Sequence, residues 1–410
     1  MREFLVKAKA STQVVASLDS KTKNRILNEM AEALLEHSAF IVEENSKDMQ
    51  LGRSNNLDSA LLDRLLLDDN RVKGIAKSLV EISALKEPVG RVLEGWVNDD
   101  NLRIEKVSVP IGVIGVIYES RPNVTSDVAA LCFKSGNVAI LKGGKEAENS
   151  NRAIAKVLQS VLEKNNLPKE IISLLPDSSR EGVAKLIKED KFVDLIVPRG
   201  GEGLIRYISQ NSSVPVVKHD KGLCHTYIHK DASPQKAINI ALNAKCQRPG
   251  VCNAMETLII DRDIAKKFLP SIYKAFVDAG TKLKGCSATR EFIFVDQATD
   301  EDFNTEYLSN QLNIKVVNSV EEAIAHITRY GSGHSEAIIT ENYTVAEKFL
   351  DMVDAACVYV NASTRFTDGG VFGFGAEVGI STNKLHARGP MGINELTTYK
   401  FKIYGNGQTR

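Results

Sequence analysis

The sequence predicts an α/β protein that consists of two α/β domains and a small arm. Strand-length apolar runs alternate with helix-spaced apolar residues from about residue 111 onward, and the alternation starts again near residue 226. Such alternation is typical of a parallel sheet that helices cover on both faces. A length of 410 residues also suits two or three domains.

The first 90 residues or so are predicted to be helical. Apolar residues recur there at spacings of four, as at Ile26, Met30 and Leu34. From Arg103 the pattern changes to that of an extended segment, and Pro110 marks a turn or a strand edge.

Strands and helices then alternate along the rest of the chain. In the first block we expect strands at 113–118, 138–141, 171–175 and 193–197, and helices at 124–134, 151–163 and 180–188. In the second block we expect strands at 226–228, 257–260, 292–295, 314–317, 337–340 and 358–360, and helices at 235–242 and 321–327. Residues 397–404 read as an edge strand or a subunit contact.

Composition and charge exclude several classes of protein. Lys plus Arg and Asp plus Glu each total 52, so no net charge attracts nucleic acid or an anionic membrane. No apolar run reaches the roughly 18 residues of a membrane helix, and the N-terminus lacks the apolar core of a secretory signal. We therefore expect a cytoplasmic protein without nucleic-acid or membrane partners, in which the six cysteines are free thiols.

Cys252 is the strongest candidate for a catalytic side chain. It lies in segment 247–254, which contains Pro and Gly and separates a predicted helix from a predicted strand. Loops held on a rigid scaffold often carry nucleophiles, and the neighbouring Arg248 would favour the reactive thiolate. The alternative is a buried structural thiol, the usual state of a free cysteine, and we expect that state for Cys132 and Cys357.

Two turns after predicted strands are candidates for binding phosphate groups. Arg199-Gly200-Gly201 stands between a strand and a helix, where backbone N–H groups favour anions. Lys142 begins a Lys-Gly-Gly-Lys turn at the end of another strand. For the Arg199 segment, a tight turn that needs glycine is about as good an explanation. For the Lys142 segment, the alternative is a solvated turn.

Other motifs give weaker indications of function. No spacing of Cys and His is typical of a metal site, so we predict no metal ligands. Gly333-His334-Ser335 looks like a nucleophile elbow, but a predicted strand rather than a helix follows it. His225 stays open between a structural residue and a substrate contact.

Several segments together closely resemble the gamma-glutamyl phosphate reductase family of the aldehyde dehydrogenase superfamily. The resemblance runs through nearly the whole chain in order and is carried by residues 119–125, 142–147, 247–253, 360–370, 372–377 and 386–392. It implies a Rossmann-like nucleotide-binding domain, an α/β catalytic domain and a small oligomerisation arm. The implied ranges are 1–100 and 111–228 for the nucleotide-binding domain, 229–384 for the catalytic domain, and 101–110 with 385–410 for the arm.

The resemblance also implies roles for single residues. Cys252 matches the nucleophile, and Asn123 matches the asparagine that stabilises an oxyanion together with the Cys252 backbone N–H. Lys142 matches the lysine that reaches the nucleotide ribose or its 2′-phosphate, and the turn Arg199-Gly200-Gly201 matches the dinucleotide loop. Glu306 matches, more loosely, the acidic residue on the nicotinamide ribose.

Two arginines are substrate-binding hypotheses. Arg248, by its position beside Cys252, is expected to bind the phosphate of the substrate. Arg365 is expected to hold the substrate α-carboxylate through a bidentate contact.

The implied reaction is the reduction of L-glutamyl 5-phosphate to L-glutamate 5-semialdehyde, with phosphate release, through a thioester on Cys252 in proline biosynthesis. The preference for NADPH comes from the resemblance and not from a particular residue. Hydrolytic aldehyde dehydrogenases carry a glutamate where residues 218–225 here contain none, which suits a thioester that must not meet water.

Three further points stay open at this stage. The enzyme could be another thioester-forming aldehyde dehydrogenase or an acyl-CoA reductase, or the chain could be a non-catalytic nucleotide-binding scaffold. The arm predicts a homo-oligomer of unspecified size. A transient contact with the upstream glutamate kinase is also open.

Overall fold

A computed structural model describes residues 1–119, 121–217 and 221–410. The chain forms two compact units. The first unit comprises Met1–His219, Gly373–Gly379 and Pro390–Arg410, and the second comprises Asp220–Phe372 and Ile380–Gly389. Within the described part of the chain, no helix combines the length and apolarity that a membrane crossing needs.

Helices fill the first 84 residues of the first unit, as predicted. Aspartates cap three of them: the side chains of Asp19, Asp58 and Asp68 accept backbone N–H bonds at the helix starts. The helices are α1 (Arg2–Ser17), α2 (Ser20–Glu36), α3 (Ser38–Ser54), α4 (Ser59–Leu65) and α5 (Asp69–Ala84).

A parallel sheet forms the centre of the first unit, in the order β5-β4-β3-β6. Every residue of β3 is buried, which accounts for its uninterrupted apolar sequence. The strands are β3 (Val113–Tyr118), β4 (Val138–Lys142), β5 (Ile172–Leu174) and β6 (Leu195–Arg199). The helices between and after them are α6 (Asn123–Lys134), α7 (Glu148–Lys164), α8 (Arg180–Leu186) and α9 (Glu202–Asn211). The predicted alternation is confirmed.

Two segments that belong to the predicted arm form strands of an antiparallel sheet in the first unit. Strand β2 (Arg103–Pro110) lies between β1 (Val92–Val97) and β16 (Thr397–Tyr404). The extended segments that start at Arg103 and Thr397 are confirmed, whereas β1 was not predicted. Trp96 and Phe401 meet edge to face, with ring centroids 6.1 Å apart, and both remain exposed.

The second unit contains another parallel sheet, in the order β10-β9-β11-β8-β7-β12-β13. Its strands are β7 (Cys224–Ile228), β8 (Met255–Asp261), β9 (Lys282–Gly285), β10 (Asp296–Gln297), β11 (Gln311–Val317), β12 (Ser335–Ile339) and β13 (Cys357–Val360). Its helices are α10 (Pro234–Cys246), α11 (Arg262–Asp278), α12 (Asp300–Phe303), α13 (Val320–Tyr330) and α14 (Tyr343–Met352). The short strands β14 (Gly379–Ser381) and β15 (Gly389–Met391) contain two of the points where the chain passes between units.

One predicted strand is wrong. Residues 292–295 form a turn, because the N–H groups of Phe292 and Ile293 both bond back to the Thr289 carbonyl at 3.0 and 3.2 Å. Phe294 is 94% exposed, so the apolar run does not enter the sheet. Sequence patterns also missed α11, which contains Pro270, and α14.

Two helices end in the same glycine motif. Gly136 after α6 and Gly280 after α11 adopt φ of +76° and +69°. In each case the N–H of the residue after the glycine donates to the carbonyl five residues earlier. The N···O distances are 2.8 Å from Asn137 to Cys132 and 2.9 Å from Thr281 to Phe276. The two sites differ in space: a Cβ on Gly136 would lie 2.8 Å from Pro110 of β2, whereas one on Gly280 would meet nothing within 4 Å.

A buried ion pair fixes both ends of the segment that carries Cys252. Lys245 at the end of α10 and Glu256 in β8 lie 2.8 Å apart, and their side chains are 0% and 2% exposed. Burial raises the pKa of Glu256 to about 7, against the opposing effect of Lys245. Because Lys245 precedes the segment and Glu256 follows it, the pair joins its two ends.

The glycine motifs generate a matched prediction. Gly280→Ala places a Cβ in left-handed backbone and should lower the free energy of unfolding by about 1–2 kcal/mol. Gly136→Ala carries the same backbone penalty and also overpacks against Pro110, which should add about 1–3 kcal/mol. Urea unfolding of both variants measures the difference, and equal losses would contradict the role given to Pro110.

The buried ion pair generates a second prediction. Lys245→Met leaves the Glu256 carboxylate buried without its cation, and should lower the free energy of unfolding by about 3–5 kcal/mol. Lys245→Met/Glu256→Leu removes both charges and should recover most of that loss.

The pH dependence has a defined sign. A carboxyl whose pKa is raised on folding stabilises the folded state least at high pH, since the folded protein then holds a proton more tightly than the unfolded chain. Loss of Lys245 raises the pKa of Glu256 further, so the deficit of Lys245→Met relative to wild type should grow above about pH 7, where the wild-type carboxyl ionises. A deficit that shrinks over this range would contradict the assignment.

Candidate active site

The parallel sheet of the first unit places three predicted site residues at its carboxyl edge. Lys142, the last residue of β4, pairs with Ile117, and Arg199, the last residue of β6, pairs with Tyr118. Asn123 begins α6, just after β3 ends between those two strands. The carboxyl edge of such a sheet is where α/β proteins bind ligands.

The Asn123 side chain is oriented by its own helix. Its Nδ2 donates to Asp127 Oδ2 at 3.0 Å, one turn further along α6. Asp127 Oδ1 accepts from Ser78 Oγ at 2.9 Å, so α5 holds the carboxylate in place. An amide nitrogen carries two hydrogens, and the second remains for another acceptor.

Lys142 borders a cleft with a volume of about 520 Å³ in the first unit. Further charged side chains line it: the cations of Lys145, Arg152, Lys156 and Lys169 and the carboxylates of Glu148 and Glu170. Arg152 pairs with Glu148 at 2.7 Å, and the lining is positive on balance. Burial lowers the pKa of Lys142, and the nearby Glu146 opposes this shift. Gly143 is required there, because a Cβ would lie 2.0 Å from Asn151 Nδ2. The chemistry of this cleft suits a ribose that bears a phosphate.

The turn of Arg199, Gly200 and Gly201 connects β6 to α9. The Gly201 N–H donates to Glu119 Oε2 at 3.0 Å, so the turn already binds a carboxylate of the same unit. A Cβ on Gly200 would lie 2.7 Å from the Glu119 carboxyl carbon. The backbone of the turn therefore binds the Glu119 carboxylate, and its binding of a dinucleotide phosphate stays a prediction.

Cys252 of the second unit lies on a loop between α10 and β8, as predicted. The loop is packed against Gly222: a Cβ there would be 1.7 Å from the Cys252 carbonyl oxygen and 2.6 Å from its Cα. Cys224 Sγ donates to the same carbonyl at 3.2 Å. The backbone of Cys252 is therefore held by Gly222 and Cys224, while its side chain stays half-buried.

The residue after the cysteine is clamped by the segment around a short helix, Thr364–Phe366. Thr364 Oγ1 donates to the Asn253 carbonyl at 2.7 Å, and Asn253 Nδ2 donates to the Thr367 carbonyl at 2.7 Å. Arg365 belongs to this clamp, because its Nε donates to Gln247 Oε1 at 2.9 Å and its Nη1 donates to Asn253 Oδ1.

Charged residues also surround the loop. Burial lowers the pKa of Arg365, and the positive charge of Arg248 acts in the same direction. Glu306 Oε1 accepts the Gly222 N–H at 2.9 Å, which places the carboxylate beside the glycine that supports Cys252. The second unit thus brings Cys252, Arg248, Arg365 and Glu306 together around one loop.

Other thiols differ from Cys252 in their surroundings. Burial raises the pKa of Cys132 to about 12, and burial also raises the pKa of Cys224. Cys357 is half-buried rather than fully in the core, and burial raises its pKa as well. His225 is buried in β7, where its Nδ1 lies 2.9 Å from Glu336 Oε2, so its place is structural.

Sequence reasoning missed several residues that shape the site. These are Gly222, Cys224 and Asn253 around the Cys252 loop, and Asp127 beside Asn123. The spacing of Asn123 and Asp127 by one helical turn could have indicated their contact. Residues 218–220, part of the stretch that lacks the hydrolytic glutamate, and Ser120 lie outside the described residues.

Comparisons with known proteins agree with this architecture. The model of the aldehyde dehydrogenase family matches residues 1–285. The gamma-glutamyl phosphate reductase of a Sulfurovum species is 70% identical over 410 residues, and that of a Nitratiruptor species is 68% identical over 411, each alignment covering 100% of both chains. The crystal structure of gamma-glutamyl phosphate reductase from Thermotoga maritima superposes with a TM-score of 0.97 at 45% identity, covering 100% of this chain and 99% of that one.

The two relatives and the solved structure match the whole chain, and the solved structure has the same α/β fold. The chain therefore belongs to the aldehyde dehydrogenase family and, within it, to the gamma-glutamyl phosphate reductases.

Proposed function

We propose that this chain reduces L-glutamyl 5-phosphate to L-glutamate 5-semialdehyde with NADPH and releases phosphate, through a thioester on Cys252, as a step of proline biosynthesis. The observation that carries the proposal is the loop of Cys252, whose backbone is held by Gly222 and Cys224 while the thiol stays partly accessible. The relatives that match over the full length of both chains are gamma-glutamyl phosphate reductases, which supports the same substrate.

The first step is attack of the Cys252 sulfur on the γ-acyl carbon. A new S–C bond forms, the C–O bond to phosphate breaks, and phosphate leaves with the electron pair. The second hydrogen of Asn123 Nδ2 and the Cys252 backbone N–H would stabilise the oxyanion; one such donor is typically worth about 3 kcal/mol. Arg248, whose charge also acts on Arg365, would supply positive charge for the phosphate beside the same loop.

NADPH, when bound, supplies the hydride that converts the thioester into a thiohemiacetal, which then releases the aldehyde and the free thiol. The cleft at Lys142 fits the phosphorylated ribose, because Lys145 joins Lys142 on its walls and its lining is positive on balance. The turn Arg199-Gly200-Gly201 would bind the dinucleotide once Glu119 leaves the Gly201 N–H, and Glu306 would bind the nicotinamide ribose.

Two further parts of the proposal concern partners and location. The exposed aromatic face of the β1-β2-β16 arm supports a homo-oligomer that forms through this sheet. We propose a cytoplasmic enzyme, in transient contact with the kinase that makes its unstable acyl phosphate.

The reaction is tested most simply in reverse, from glutamate 5-semialdehyde and NADP⁺. Turnover, followed as NADPH absorbance, should require inorganic phosphate, because phosphate must resolve the thioester. Cys252→Ala should abolish it, whereas Cys246→Ala, which removes another half-buried thiol, should keep most of the activity.

Each alternative has its own result. Turnover without phosphate would indicate a hydrolytic dehydrogenase, and turnover that requires coenzyme A would indicate an acyl-CoA reductase. A protein without turnover under any of these conditions would be a nucleotide-binding scaffold.

A further inference from the structure

A second cleft lies wholly within the first unit and contains Asn123 in its wall. Its volume is about 420 Å³, and it lies between the segment that joins α4 to α5 and the first turns of α6. The side chains that matter for its chemistry are Arg64, Arg71, Ser78, Asn123 and Asp127. The cleft therefore presents both positive and negative charge next to the proposed oxyanion donor.

The two arginines of the cleft are in different states. Arg71 is committed to the chain around it: its Nη2 donates to Asp63 Oδ1 at 2.6 Å and its Nη1 to the Leu66 carbonyl at 3.0 Å. Arg64, an exposed residue in the last turn of α4, makes no ion pair with any described residue. Arg71 thus stabilises the segment that joins α4 to α5, and Arg64 is the cation of this cleft that remains for a ligand.

The negative side of the cleft is Asp127. Its carboxylate accepts bonds from Ser78 and Asn123, which are both neutral, and among the described residues it has no ion-pair partner. Burial raises the pKa of Asp127. A cationic ligand group beside this carboxylate would offset its desolvation.

We propose that this cleft binds the α-amino acid end of the substrate, with Arg64 holding the α-carboxylate and Asp127 the α-ammonium group. The inference rests on the proposed function and defines how the glutamyl group is recognised. One cation and one carboxylate in the lining of the same cleft match a zwitterion, and Asp127 would repel the phosphate end of the same molecule. A short aliphatic chain then separates this end from the acyl carbon near Asn123.

This assignment moves the α-carboxylate away from Arg365. Two donor nitrogens of Arg365 are already used to clamp the Cys252 loop, on Gln247 and Asn253. Arg64 has no such commitment, so its guanidinium can make a bidentate contact without breaking an existing bond. Arg365 then serves the loop, and Arg248 serves the phosphate.

Binding of L-glutamate and of glutarate, which lacks the ammonium group, tests the inference without any turnover. Isothermal titration calorimetry of the whole protein should show L-glutamate binding at least fivefold more tightly than glutarate. Arg64→Gln should weaken both ligands at least tenfold. Arg53→Gln is the matched control: Arg53 is another exposed arginine of the first unit, outside the cleft, and this variant should bind like wild type.

A second variant fills the cleft instead of removing its charge. Gly74 lines the cleft in α5, and a Cβ there would meet nothing within 4 Å, so Gly74→Leu should fold normally. It should weaken L-glutamate binding at least tenfold. In the reverse reaction, Arg64→Gln should raise KM for glutamate 5-semialdehyde at least tenfold and leave KM for NADP⁺ unchanged.

The outcomes separate this inference from the proposed reaction. Wild-type binding of L-glutamate by Arg64→Gln, equal affinities of the wild type for the two ligands, or no measurable binding would overturn the inference. Binding as predicted, without phosphate-dependent turnover, would support the cleft and count against the reaction alone.

Discussion

The close contact between the backbones of Gly222 and Cys252 is the constraint on which the second-unit site depends. No other residue fits at position 222, since a Cβ would lie 1.7 Å from the Cys252 carbonyl oxygen. The contact brings the start of the second unit under a loop that follows some thirty residues later. Cys224 Sγ donates to the same carbonyl, and Glu306 accepts the Gly222 N–H. The close contact of Gly222 with Cys252 therefore also positions Cys224 and Glu306 beside the Cys252 loop.

The first unit places polar and charged groups at one edge of its parallel sheet. Parallel strands β3, β4 and β6 end together, and their ends carry Asn123, Lys142 and Arg199. Separate clefts then divide the charges. The lining of the cleft at Lys142 is positive on balance and suits a phosphate-bearing nucleotide. The lining of the cleft at Asn123 contains the carboxylate of Asp127 and the cation of Arg64, which makes no ion pair with any described residue.

Much of the fold could be predicted from the sequence, because apolar runs such as β3 are long, buried and unambiguous. The failures have local causes: residues 292–295 are apolar but bond back into a turn, and α11 contains a proline that argues against a helix. The sequence of its loop was enough to predict Cys252. The residues that hold that loop could not be predicted, because Gly222 and Thr364 are distant from it in sequence and neither side chain indicates such a contact.

The central claim is that Cys252 carries the acyl group, and intact-protein and peptide mass spectrometry test it most directly. The protein is incubated with glutamate 5-semialdehyde and NADP⁺ without phosphate, quenched in acid and digested. The account predicts a glutamyl adduct on the peptide that contains Cys252, which disappears when phosphate is added before the quench. An adduct on any of the other five cysteines, or none on Cys252 while NADPH forms, would contradict it.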